Sequence, residues 1–310
     1  MDQKSDTFEF VVTDEYEGYR IDKLISELVE SVSRTYIKKL IDDKKVLCNG
    51  KPVKASFSLS ENDVIQVEIP PVEVPEIVPQ DIPLDILYED DDVIVVNKPK
   101  DMVVHPAAGH YKDTLVNAIM FHCKDNLSGI NGVMRPGIVH RIDKDTTGSV
   151  IICKNDFAHN SIADQLKEHS INRVYHAICY GIIDEDEGFV DAPIGRSQND
   201  RKKMAVVKSG GKEAYTHYRV LKRFPEDKFT YIECKLKTGR THQIRVHMAH
   251  IGHPLLGDEV YAQGRSSKFK LQGQCLHAKT LGFVHPRTNE YIETDAPLPQ
   301  YFSHLLDVLK

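Results

Sequence analysis

The sequence predicts an α+β protein in which a larger domain built on a mixed sheet follows a small α+β module. Three observations lead there. Strand-like apolar runs are interrupted irregularly by amphipathic runs, without the strict alternation of a parallel-sheet protein. A proline-dense stretch, PPVEVPEIVPQDIP over residues 70–83, divides the chain. The length of 310 residues with 41% hydrophobic content suits two domains and a core that needs neither disulfides nor metals.

In chain order, Ile21, Leu24, Ile25, Leu28, Val29 and Val32 recur at helical spacing and predict an amphipathic helix over 20–32. Ser33 is placed to cap a second helix whose apolar side is Ile37, Leu40 and Ile41. Val46-Leu47-Cys48, Asn49-Gly50 and Lys51-Pro52-Val53 spell a hairpin, and Val64 to Ile69 a closing strand. The five prolines of 70–83 deny ladder donors and favour a stiff, extended spacer. The boundaries expected are therefore 1–70, a linker at 71–83, and 84–310. In the larger part, strands are expected at Val93–Val96, Val150–Cys153, Val174–Ile183, Tyr215–Leu221 and Phe229–Leu236. Helices are expected at Asp113–Cys123 and Asp156–His169.

Composition removes several classes. No apolar stretch approaches the ~20 residues of a membrane span, and MDQKSDTFEF lacks the basic head and apolar run of a signal peptide, so a cytoplasmic protein is expected. The six cysteines are dispersed without a CxxC, which excludes the usual zinc ribbon and predicts small buried hydrophobes. A GxGxxG after a strand and a Walker A loop are both absent. The formal charge is −6, but residues 196–247 hold fourteen basic and five acidic side chains, a local +9. A field of that size is met by a phosphate backbone or is simply a solvated face.

Two segments could carry chemistry. In GIVHRIDKDTTG, residues 137–148, a short buried strand Gly137-Ile138-Val139 is expected to lead into a polar turn, with a buried strand resuming after Thr147-Gly148. A carboxylate at such an edge can be held rigidly and still face a cleft, although an ordinary charged turn is commoner. In LKTGRTHQIRVHMAHIGHPLLGD, residues 236–258, Arg240 and Arg245 flank the start of a predicted helix. An arginine facing a buried aspartate favours the ionised carboxylate. His247 and His250, three apart on that helix, are a conceivable metal pair, but no nearby cysteine or glutamate completes a set. Tyr175 and Tyr180 fall on opposite faces of one strand, where either ring could meet a planar ligand or pack in a core.

These segments resemble the RluA/RluD family of RNA pseudouridine synthases. HRIDKDTTG (140–148) is similar to the family's HRLDxxTSG signature, NKPKDMVVHP (97–106) to NKPxGxxVHP, and RVYHAICYG (173–181) to KxYxAxxxG. PIGRSQNDRKKMAV (193–206), GKEAYTHYRV (211–220) and TGRTHQIRVHMAHIGHPLLGD (238–258) follow in the family's order, so the likeness extends over essentially all of 84–310. Ile142 replaces the usual leucine, and Asp101 stands where glycine is common. The segments YRIDKLISEL, SRTYIKKLI, VLCNGKPV and ENDVIQV resemble an S4 RNA-binding domain.

The resemblance implies a pseudouridine synthase catalytic domain behind an S4-like domain, acting without cofactor or metal on structured RNA, most readily that of the large ribosomal subunit. It implies Asp143 as nucleophile, Arg245 as its charge partner, and Tyr175 stacked on the target base. Arg141 would enter the helix that the uridine leaves. Arg240 would contact RNA, as would Arg20, Arg34, Lys38 and Lys39 on the S4-like face. A monomer is expected. Two other readings stay open on the residues: an RNA-binding protein without catalysis, and a metal-dependent hydrolase using the histidines between His242 and His253.

Overall fold

The computed structural model describes residues 5–29, 32–70, 77–106, 111–124, 126–130, 135–198, 200 and 203–310. The chain forms two compact units, 1–74 and 75–310.

In the first unit, four antiparallel strands lie in the order β1 (Asp6–Val11), β4 (Val64–Ile69), β2 (Val46–Cys48), β3 (Lys51–Pro52). The helices α1 (Ile21–Leu28) and α2 (Arg34–Asp42) contribute Ile21, Leu24, Ile25, Ile37, Leu40 and Ile41 to the core shared with that sheet. The first helix stops four residues short of the expected end. Val29 closes the last turn onto the Ile25 carbonyl and leaves the helical region at φ −112°, ψ 87°. Ser33 does cap α2, its hydroxyl accepting the Tyr36 amide at 3.3 Å. Asn49 and Gly50 both take positive φ, 51° and 73°, as the tight hairpin turn requires.

Residues 71–76 of the proline-rich segment lie outside the described residues. Those that follow pack closely. Ile77 is buried, the Gln80 amide donates to the Asn117 carbonyl, and Asn117 Nδ2 donates to the Val78 carbonyl at 2.8 Å. Asn117 lies on α3 (Leu115–Cys123), whose capping box with Thr114 fixes its start.

The main sheet runs in the order β5 (Ile86–Glu89), β6 (Val93–Lys98), β7 (Thr147–Cys153), β14 (Leu276–Val284), β8 (Asn172–Tyr180), β13 (Phe229–Leu236), β12 (Tyr215–Phe224), β9 (Glu187–Asp191), with β15 (Tyr291–Asp295) also paired to β14. The β7–β14 pair is parallel and the other pairings are antiparallel, so the sheet is mixed. β10 (Ile194–Arg196) and β11 (Met204–Val206) form a separate ribbon. The runs VIVV and VIIC do not alternate because both faces of β6 and β7 are covered. Ile94, Val96, Val150 and Ile152 join a core with α3, whereas Val93, Val95, Ile151 and Cys153 join one with Ala158 and Ile162 of α4 (Asp156–Lys167). Tyr175 and Tyr180 of β8 likewise fall in different cores. The chain closes with α5 (Gln243–His250) between β13 and β14, and α6 (Gln300–Val308) at the end.

One expected strand is absent. Gly137-Ile138-Val139 forms a turn with Gly137 at φ 71° and a single bridge from Ile138 to Ile152. A Cβ at Gly137 would come within 2.7 Å of the Cys153 carbonyl oxygen, so this close approach to β7 needs glycine. All six cysteines are buried and unpaired. Among the described residues, no helix is long and apolar enough to cross a membrane.

Burial sets an acid limit on this fold. His277 is fully buried, with Nδ1 bonded to Thr147 Oγ1 at 2.8 Å and Nε2 to the Ala296 carbonyl at 3.1 Å, and burial pushes its pKa down to about 4. His105 is also pushed to about 4, by burial and then by Arg141 and Arg135. The unfolded chain protonates these imidazoles near 6.5 and the folded one does not. Stability should therefore fall as pH drops below about 6.5 and continue falling toward 4. Thermal unfolding at steps from pH 8 to pH 4.5 checks this, and an unchanged Tm between 6.5 and 4.5 would contradict it.

Candidate active site

The site forms where the 140–146 turn, the start of β8 and the 237–242 turn before α5 converge on one cavity of about 520 Å³. The first turn is fixed from below. Gly148 sits at φ 106°, and a Cβ there would overlap the Ala278 backbone, so glycine lets β7 lie directly against β14. Lys98, fully buried at the end of β6, donates from Nζ to the carbonyls of Pro99, Met102 and Lys144 at 2.7, 2.7 and 2.9 Å. Burial pulls its pKa to about 7, with Asp145, Asp143 and Asp101 opposing that shift. Three acceptors match the three donors of an ammonium, whereas a neutral amine has two, so the geometry favours the charged form. Asp101 occupies the left-handed region at φ 64° without glycine, and its carboxylate pairs with Lys144 at 2.7 Å.

Asp143 and Arg245 meet as expected from the sequence. Arg245 Nη1 donates to Asp143 Oδ2 at 2.9 Å. The rest of the guanidinium is committed elsewhere: Nε and Nη2 donate to Asp258 Oδ2 and Oδ1 at 2.7 and 3.0 Å. This two-point grip fixes the guanidinium plane and aims its remaining edge at Asp143. Burial opposes the Arg245 charge, but Asp258 and then Asp143 outweigh it and hold the pKa above its ordinary value. Asp258 is itself buried and also accepts the Val260 and Tyr261 amides. Asp143 keeps Oδ1 outside this clamp, with His242 Nε2 3.8 Å away.

A polar knot locks α5 in place. Gln243 Oε1 accepts Thr238 Oγ1 and the Arg240 amide at 2.8 and 2.9 Å, while Nε2 donates to the Tyr215 carbonyl and Thr216 Oγ1 at 2.9 and 3.0 Å. His247 bonds Thr216 Oγ1 through Nδ1 and the Ala192 carbonyl through Nε2. Both its nitrogens are thus used inside the protein, and His250 lies exposed on the same helix. His242, at φ 57°, bonds the Tyr261 hydroxyl through Nδ1 at 2.9 Å, and that oxygen accepts the Met204 amide. The consistent assignment has Tyr261 donating to Nδ1, leaving the imidazole proton on Nε2, toward Asp143. Burial lowers the His242 pKa against the pull of Asp143.

Tyr175 is buried in the main core and lines the cavity. Burial raises its pKa, with Arg173 opposing and Asp143 reinforcing the shift, so it remains a phenol at neutral pH. Arg141 stands at the rim, exposed, with Nη1 donating to His105 Nε2 at 3.3 Å. Arg240 lines the same cavity and donates from Nε to the Glu213 carbonyl. In the first unit, Lys38 and Lys39 are exposed, but Arg20 and Arg34 both grip the buried Asp22 carboxylate, at 3.0 and 3.1 Å. That buried negative charge offsets part of the face expected from Arg20, Arg34, Lys38 and Lys39. Asp90, Asp92 and His285 lie close enough to share an ion, but Arg287 already holds Asp92 with two contacts and Tyr88 holds Asp90.

Sequence reasoning assigned no role to Lys98, Arg173 or Asp258, and considered His242 only as a metal ligand. A lysine ending the apolar run VIVVNK and an aspartate closing HPLLGD were the available signals.

A family profile described as RNA pseudouridylate synthase matches residues 92–250, and one described as S4 domain matches 20–65. The chain is 49% identical over 302 residues to an uncharacterized RNA pseudouridine synthase, YlyB, of Bacillus subtilis, covering 97% of this chain and 98% of that one. It is 46% identical over 312 residues to ribosomal large subunit pseudouridine synthase D of Zymomonas mobilis, covering 98% of each. The solved structure of human RNA pseudouridylate synthase domain containing 1 superposes with a TM-score of 0.57 at 25% identity, covering 73% of this chain and 94% of that one.

Lys98→Met keeps the stem but orphans three buried carbonyls. It should lower stability by about 3 kcal/mol. Denaturant unfolding of the variant checks this, and a change below about 1 kcal/mol would show the three contacts to be dispensable.

Proposed function

Because the chain belongs to the RNA pseudouridylate synthase family, we propose that it converts uridine of large-subunit ribosomal RNA to pseudouridine with Asp143 as nucleophile. The observation that carries this reading is the Asp258–Arg245–Asp143 clamp opening onto the cavity, with Asp143 Oδ1 left free. The large-subunit substrate is supported by the 46% identity to the Zymomonas mobilis enzyme over 98% of both chains.

The reaction is an isomerisation. The N1–C1′ bond breaks, the base turns, C5 bonds to C1′, and the C5 proton is lost while N1 gains one. No electrons or groups enter or leave, so the residues must supply a nucleophile, a proton path and a grip on the freed base. Asp143 Oδ1 attacks, at C6 of the base or at C1′ of the sugar, and forms a covalent link that survives while the base turns. Arg245 stays on Oδ2, so the carboxylate keeps its orientation as charge moves through it. The Tyr175 ring forms one wall against which a uracil stacks, and its hydroxyl, protonated at neutral pH, can pass a proton beside Asp143. Removing a uridine from a stacked helix costs a few kcal/mol, partly offset by this stacking and by Arg141 filling the vacancy.

Two outcomes test the assignment. Asp143→Asn should abolish tritium release from RNA carrying [5-³H]uridine, with RNA affinity within about twofold of wild type; measurable turnover would remove Asp143 as nucleophile. Asp258→Asn leaves Asp143 and Arg245 in place but loosens the two-point grip. It should cut the single-turnover rate by roughly 10- to 100-fold, the range for lost support behind a reacting group. A wild-type rate would mean Arg245 is aimed by something else.

A further inference from the structure

We propose that Arg173 anchors a phosphate subsite in the cleft, gripping the phosphodiester beside the target uridine while Asp143 meets the nucleoside. The proposal rests on reading the cavity as the RNA site and adds a residue to it.

Arg173 opens β8 two residues before Tyr175 and lines the cavity, yet is only 7% exposed. Of its five N–H donors, one is used: Nη2 donates to the Lys237 carbonyl at 3.2 Å. Nε is buried with no hydrogen-bond partner. Nη1 lies over Gly239, where a Cβ would come within 2.6 Å of it, so glycine leaves that edge of the fork its space.

The buried charges of Arg245, Asp22 and Lys98 are compensated. Arg245 has two aspartates, Asp22 has two arginines, and Lys98 has three carbonyls. Arg173 makes no ion pair among the described residues, and the ionisable groups that act on it are the Tyr175 hydroxyl and the cation Arg240. A guanidinium does not escape this cost by losing its proton, so a buried one with spare donors is completed by an anion.

The surroundings identify the anion. Besides Arg173, the cavity lining holds Arg141, Lys167, His169 and Arg240, and its one carboxylate is Asp143, already gripped by Arg245. A neutral uracil carbonyl would satisfy a donor but not the charge. A phosphodiester satisfies both, its two non-bridging oxygens matching the planar fork. Since Arg173 and Asp143 line the same cavity, the phosphate belongs to the nucleotide being modified or its neighbour.

The test compares wild type, Arg173→Met and Arg173→Lys in equilibrium binding and single-turnover tritium release with a large-subunit ribosomal RNA transcript, across 50 to 300 mM salt. Arg173→Met should weaken binding roughly tenfold or more and make the slope of log K against log salt shallower by about one. Its loss should be larger in the half-saturating concentration than in the saturating rate, and Arg173→Lys should recover most of the affinity. Unchanged affinity and slope in Arg173→Met would overturn the proposal, as would a loss confined to the saturating rate.

A second measurement does not depend on how the variants fold. Replacing the phosphate 5′ or 3′ of the modified uridine by methylphosphonate should cost wild type a similar factor at one of the two positions. No effect at either would also overturn the subsite. Absence of tritium release by wild type would instead count against the synthase reading, while the salt slopes still report on Arg173.

Discussion

The triad Asp258–Arg245–Asp143 is the constraint around which the larger unit is arranged. Taking the charges of Asp258 and Arg245 from water costs several kcal/mol each unless their geometry is good, while Asp143 stays partly exposed. Here two carboxylates share one guanidinium through contacts of 2.7, 3.0 and 2.9 Å. The partners come from positions 143, 245 and 258, so the turn before β7, the helix α5 and the loop beyond it must all arrive together. Most of the other buried polar groups near the site serve that arrival. Gln243 and His247 tie α5 to β12, and Lys98 ties the 143–146 turn to the end of β6.

The triad also leaves the Asp143 carboxylate both held and available. Had Arg245 gripped Asp143 with its full fork, both carboxylate oxygens would be occupied. Asp258 takes that fork instead, and Asp143 receives a single bond on Oδ2. The excess carboxylate leaves the triad with a net negative charge, which faces a cavity whose other charged lining residues are cations.

Much of this was legible in the sequence wherever local rules decide. The apolar runs Val93–Val96 and Phe229–Leu236, the Ser33 cap and the Asn49-Gly50 turn follow from patterning and turn chemistry and are found in place. Asp143, Tyr175 and Arg245 were picked out by motif, and the structure lines one cavity with all three. What was not legible depends on partners distant in sequence. Gly137-Ile138-Val139 has the composition of a strand, but its conformation is set by close approach to Cys153 and Ile152. The strands β5, β9, β10, β11, β14 and β15 were not anticipated, because sheet pairing rather than local periodicity defines them, and neither was the helix α6. Arg20 and Arg34 read as a basic face until the fold places Asp22 beneath them.

The same distinction separates net charge from local charge. A total of −6 argues against a polyanionic partner, yet Asp143 is the one carboxylate among the described residues that line the cavity. Asp258 is consumed by Arg245, Asp92 by Arg287, Asp101 by Lys144 and Glu233 by Arg219. Each pair cancels one charge of each sign, so the charge of the cavity is set by where the remaining groups stand, with Arg141, Lys167, Arg173 and Arg240 lining it. The folded charge distribution is therefore not a diluted copy of the sequence's but a sorted one. An acidic chain can thus hold a cavity whose charged lining is mostly cationic, because the fold decides where its cations stand.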